Sequence, residues 1–218
     1  EHTHHPLSSS GSNCYNCHMP HTSYAVLSAI RSHRIDSPLV DVGEKAGRPN
    51  ACNLCHLDRT LEWTSKHLAD WYDLPAPPLS EEQREVAAGP LWILKGDAGL
   101  RALMAWHIGW QPTREAATSD WSGPYLAVLL DDEYPALRVI ASRTMKKLPL
   151  YRQIAYDFLA ERKPRRTAVE QVMATWKKQH AGDSHHPATL VNSTNKLRSQ
   201  RFRSLLDARD NRPISLAE

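Results

Sequence analysis

The pattern Cys-x-x-Cys-His occurs twice in this chain, at Cys14-Tyr15-Asn16-Cys17-His18 and at Cys52-Asn53-Leu54-Cys55-His56, and it uses all four cysteines of the 218 residues. Two thiols spaced by two residues reach one edge of a porphyrin and add across its vinyl groups as thioethers. The imidazole of the next residue then lies under the iron. Read this way, Cys14, Cys17, Cys52 and Cys55 attach two haems c, and His18 and His56 are the proximal ligands of the two irons. A zinc site is the main competitor, because Cys-x-x-Cys pairs also ligate zinc. The 34 residues between the pairs exceed the common ribbon spacing, and zinc has no need of a histidine directly after each pair. Disulfides fit worse, since a pair separated by two residues is usually redox or metal chemistry.

The sixth ligand decides what such an iron does. A second strong ligand gives a low-spin iron suited to electron transfer, whereas an open position permits substrate binding and catalysis. Methionine is poorly placed for this role. Met19 adjoins His18, and Met104, Met145 and Met173 fall on apolar helix faces where methionine fills core. Histidine is therefore the expected sixth ligand of both irons. His33 is the foremost candidate, because Tyr24 to Arg34 reads as a short helix with Val26, Ile30 and His33 on one face. His4 and His5 follow, clustered before the loop Ser8–Asn13, with His2 and His21 behind them. His67 and His107 sit on helices of apolar and aromatic character and read as hydrogen-bonded core histidines. His180, His185 and His186 belong to a polar tail. Trp63 and Trp71 flank the helix after the second motif; core packing is the preferred reading for both, and packing on a porphyrin the alternative.

Periodicity and breakers predict a mainly α fold. An irregular, loop-rich dihaem domain fills residues 1–78, a helical repeat domain residues 79–180, and an extended C-terminal tail residues 181–218. A helix is expected over Leu61 to Tyr72, after which Pro75-Ala76-Pro77-Pro78 closes the first segment. Ser80-Glu81-Glu82-Gln83 has the form of a helix start, and that helix is expected to run on toward Leu94 despite Gly89-Pro90. Leu100-Arg101-Ala102-Leu103-Met104-Ala105 and Leu137-Arg138-Val139-Ile140-Ala141-Ser142 resemble each other at an interval of 37 residues, each after an acidic turn. That period suggests stacked helical hairpins of the HEAT kind. From His180 onward, Gly182, the His185-His186-Pro187 turn and Asn192-Ser193-Thr194-Asn195 suggest extended chain, ending in a basic run from Lys196 to Arg203.

Charge narrows the partners. Six Lys/Arg stand against eight Asp/Glu in residues 1–75, and 21 against 16 in the remainder, a net of +3 overall. The basic residues are scattered over helices without an aromatic platform, which argues against nucleic acid. No apolar run approaches the ~18 residues of a membrane helix. The chain opens on Glu1-His2-Thr3-His4-His5 without a visible leader, so it is read as a processed mature form or a piece of something longer.

The string His2-Thr3-His4-His5-Pro6, Cys14 to His18 with Met19-Pro20, Arg31-Ser32-His33-Arg34-Ile35, and Pro49-Asn50-Ala51-Cys52 with Cys55-His56 together resemble the paired-haem module of bacterial multihaem c-type cytochromes. In that family the module is joined to TPR- or HEAT-like repeats. The resemblance implies periplasmic or cell-surface electron transfer, bis-histidine haems, and His33 with the N-terminal histidines (His4, His5) as distal ligands. It also implies a redox partner protein or a larger cytochrome complex, with further haem subunits associated. Two alternatives stay open: a reductase of a small oxyanion with one open-coordination haem, and a structural subunit that links haems in a complex or filament.

Overall fold

The structure is a computed structural model that describes residues 2–117, 121–179, 187–191 and 197–214. His180, Gly182, His185, His186 and the stretch from Asn192 to Lys196 lie outside the described residues. The fold is mainly α, as expected, and the two cysteine motifs open it.

Each motif forms one short helix with asparagine at its start. In α1 (Cys14–His18) the Asn13 side chain accepts the Tyr15 N–H at 3.0 Å; in α3 (Ala51–Cys55) the Asn50 side chain accepts the Cys52 N–H at 2.9 Å. Asparagine is a favoured helix cap because its carbonyl satisfies an otherwise orphaned backbone donor. Between them the chain forms a hairpin, β1 (Ser23–Ala25) and β2 (Ser28–Ile30), followed by α2 (Val40–Lys45). The expected helix over Tyr24 to Arg34 is therefore corrected. Ser23 pairs with Ile30 and Ala25 with Ser28 around Val26-Leu27, both at positive φ (50° and 53°). Two consecutive left-handed residues make the turn that matches strand twist, and that turn is ordinarily signalled by Asn or Gly. Burial of Ala29, and of Tyr24 against the core, outweighs the spacing that mimicked a helical face.

Helix α4 spans Leu61–Tyr72, within the bounds expected, with Thr60 capping the Trp63 N–H and Asp73 left-handed at its end. Ser80 and Gln83 form a reciprocal capping box on α5 (Glu81–Glu85). This helix stops at Val86 rather than running to Leu94. A new one, α6 (Ala88–Lys95), begins with Pro90 in its first turn, where its missing N–H costs nothing. The remaining helices are α7 (Ala98–Ile108), α8 (Gln111–Ala116), α9 (Ser122–Leu130), α10 (Pro135–Lys147), α11 (Arg162–Gln179) and α12 (Ser199–Asp207).

The pairs α6/α7 and α9/α10 are helical hairpins stacked through α7 and α10, and α11 packs on α9. The two arginines that marked the internal similarity hold this stack. Arg101 forms a bidentate pair with Asp132 at 2.8 and 3.2 Å, both side chains buried, and Arg138 donates to the carbonyls of Asp132 and Glu133. The C-terminal segment is not an extended tail. Helix α12 buries Phe202 and Leu205 against the core and contacts α6, and Arg209 donates to the Leu94 and Ile93 carbonyls.

One apolar core continues from Leu54, Leu57, Leu61 and Leu68 into α6, α7, α9 and α10. Several polar tethers join the cysteine segment to these helices. Among them, the Gly89 N–H donates to Leu57 O at 3.0 Å, the Thr113 hydroxyl to Leu54 O at 2.8 Å, and the His107 Nε2–H to His21 O at 2.9 Å. A side chain at Gly89 would meet the Leu57 backbone at 2.9 Å, so glycine permits this approach.

Candidate functional site

Two neighbouring cavities adjoin the cysteine motifs. One, of about 930 Å3 including its mouth, is lined by Cys52, Cys55, His56, His5, Trp63 and His67 among others. The second, of about 1170 Å3, is lined by Cys14, Cys17, His18, His2, Tyr72 and Leu39 among others. Cys17, Cys52, His5, Leu68 and Trp71 border both, so the cavities share a wall. Their linings are mostly apolar, which suits a large planar ligand with few polar anchors.

In each cavity a second imidazole lies about 6 Å from the motif histidine, ring centre to ring centre. The His2 and His18 rings are 5.9 Å apart between centres with planes 9° apart, and the His5 and His56 rings are 6.2 Å apart at 32°. Two imidazoles that each place a nitrogen about 2 Å from one metal have ring centres about 6 Å apart. Hydrogen bonds also select the free nitrogen. The Nδ1–H of His18 donates to Asp36 O at 2.8 Å, and that of His5 to Thr3 O at 2.5 Å, which leaves Nε2 with its lone pair in both. Burial, then the neighbouring charges of His5, Arg59 and His67, depress His56 to about 4, so it is a neutral imidazole at neutral pH.

Burial first, then neighbouring cysteines, pushes Cys52 and Cys55 up to about 12, and burial and Cys14 raise Cys17. Among the described residues no three His, Cys, Asp or Glu side chains converge in a way that would hold a bare metal ion, as a structural zinc requires. Four cysteines at the rims of two apolar cavities, with paired imidazoles at each, fit two haems.

The other candidates fall as follows. His4 takes a positive φ of 51°, and its ring stacks on Trp71 at 4.3 Å rather than pairing with either motif histidine. His2, placed behind it from sequence, lies beside His18 instead, and Tyr72 donates its hydroxyl to the His2 carbonyl. His33 lies exposed in a bend after the hairpin and borders neither cavity. His107 is a buried core histidine as expected, neutral because burial lowers it to about 3. His67 is corrected: it is half-buried on the cavity wall between Trp63 (4.4 Å) and Trp71 (4.8 Å). Trp63, His67 and Trp71 recur every four residues on α4 and form one wall stripe, so the core reading of the two tryptophans is corrected as well. Met104 and Met145 are buried in the core, and no methionine borders either cavity.

Residues 3–73 match the family model for cytochrome c552. The match spans both cysteine motifs and supports a c-type cytochrome, and with it covalently bound haem c. No curated protein and no solved structure matches the chain. Among the described residues no helix is long and apolar enough to cross a membrane.

Proposed function

We propose that this chain is a dihaem c-type cytochrome that relays electrons through two bis-histidine, low-spin haems. The observation that carries this reading is the presence of a second imidazole about 6 Å from each motif histidine, His2 beside His18 and His5 beside His56. Cys14 and Cys17 attach the first haem and Cys52 and Cys55 the second. Haem iron supplies the one-electron ferric/ferrous couple. His18 with His2 and His56 with His5 would hold the two irons, and Trp63, Trp71 and Leu68 would wall the haems. His2 and His5 are three residues apart, which limits their backbone separation to about 10 Å; with a shared cavity wall this favours exchange between the two haems.

The c-type cytochrome match supports a location of this chain outside the cytoplasm of a bacterium, which we read as the periplasm or the cell surface. Its partner is a redox protein or a larger cytochrome assembly. His33, exposed and outside both cavities, would serve only an iron brought by another part of such an assembly. A reductase acting on a small oxyanion would need one open axial position, and the paired imidazoles speak against that.

The test is haem stoichiometry with ligand binding. The intact chain should carry the mass of two haems, and Cys14→Ser/Cys17→Ser and Cys52→Ser/Cys55→Ser should each remove one. Carbon monoxide should leave the spectrum of the reduced protein unchanged. A single haem, or a carbon monoxide complex in the unaltered protein, would overturn the reading.

A further inference from the structure

Resting on that reading, the ligand His5 raises the question of what holds its ring in place. The N-terminal segment has no regular structure around it, and on its own side His5 is held by local bonds to Thr3. Its other neighbour is Gly11, in the turn Ser10–Ser12 that leads into α1. A Cβ built on Gly11 would stand 2.8 Å from the His5 Nε2 and closer still to Cγ and Cδ2, inside the volume of the imidazole. Gly11 does not have a positive φ, so its backbone conformation is open to any residue. The need for glycine here is space alone.

That turn has little freedom to yield. The Ser9 N–H donates to Pro6 O, Ser12 Oγ to Leu7 O and Ser9 O, and the buried Asn16 donates its amide to Ser10 O at 2.8 Å. Ser10 Oγ donates to Glu115 at the end of α8. A methyl group at position 11 would therefore displace the ring rather than the turn.

We infer that Gly11 is a positioning residue: its missing side chain seats the His5 imidazole as the sixth ligand of the haem attached at Cys52 and Cys55. Filling that space unseats His5 and opens this haem alone, while the His2–His18 pair is untouched.

The experiment compares the holoprotein, Gly11→Ala, His5→Ala and the double variant by electron paramagnetic resonance, carbon monoxide binding and thermal unfolding. In Gly11→Ala one of the two haems should become high-spin and bind carbon monoxide, as in His5→Ala, with the haem count still two. Added imidazole should restore the low-spin spectrum of both variants. In the double variant the alanine at position 11 should cost no further stability, because the ring it displaces is gone; a Gly11→Ala chain that folds only when His5 is also removed supports the assignment equally. A Gly11→Ala protein that keeps two low-spin haems, opens both, or fails to fold even without His5 overturns the inference and leaves the bis-histidine function standing. An unaltered protein with a high-spin haem overturns the function itself, and the inference with it.

Discussion

In the proposed site, the neighbours of His18 and His5 decide which ring nitrogen each one leaves free. His18 is oriented by the Asp36 carbonyl and His5 by the Thr3 carbonyl, each through Nδ1–H, so Nε2 is the free ligand atom on both. The ligands are separable in experiment. His2→Ala should convert only the haem at Cys14/Cys17 to high-spin, and His5→Ala only the haem at Cys52/Cys55. His4→Ala should leave both low-spin, because its ring is engaged with Trp71. Spectra of the three oxidised variants check this; a spin change in His4→Ala would reverse the assignment. The motif histidines His18 and His56 were singled out from spacing alone, because Cys-x-x-Cys-His is a local pattern. The distal ones were not. Whether His2 or His4 turns toward the cavity depends on Tyr72 and Trp71, which reach the segment only after some 70 residues of chain have folded back, and no local pattern encodes that.

At the scale of elements, the start of α5 at Ser80 and Gln83 was readable because a capping box acts within one turn, whereas its stop at Val86 before Gly89-Pro90 was not. The β1/β2 hairpin was hidden by Val26-Leu27, which take left-handed conformations without the Gly or Asn that usually advertises them. The α4 stripe of Trp63, His67 and Trp71 shows its periodicity plainly, but which side of an amphipathic helix meets a cofactor depends on what else covers it. Helix α7 carries a consequence of its own through His107, which donates Nε2–H to His21 O. Burial depresses its folded pKa to about 3, against about 6.5 when unfolded. The unfolded state therefore binds the extra proton between those values. The stability from keeping this histidine neutral is fully present above pH ~6.5 and is lost as pH falls toward 3, by up to about 1.4 kcal/mol per unit. Denaturant titrations across that range should show a flatter dependence for His107→Gln than for the unaltered protein. Equal slopes would assign the acid sensitivity to other groups.

For the whole molecule, stability rests largely on the stacked hairpins and the return of α12. The Arg101–Asp132 pair is fully buried, with side-chain exposures of 1% and 0%, and Arg209 reaches the same carboxylate at 3.5 Å. Arg101→Leu leaves that carboxylate short of its main partner in a buried setting and should cost about 3–5 kcal/mol in chemical denaturation. Phe202→Ala, which loosens α12 from the core, should cost about 3 kcal/mol. Neither change should alter the haem spectra of the protein that remains folded, because both lie outside the cavities. The repeated arginine was visible as an internal similarity 37 residues apart, but its pairing with Asp132 and the return of α12 are contacts of a folded stack. The bis-histidine pairing of both haems is tested most directly by low-temperature electron paramagnetic resonance of the oxidised holoprotein. Two low-spin ferric signals of equal weight, with no high-spin component, are predicted. A high-spin signal from either haem that shifts on adding nitrite or sulfite would contradict the pairing and place a catalytic iron in that cavity.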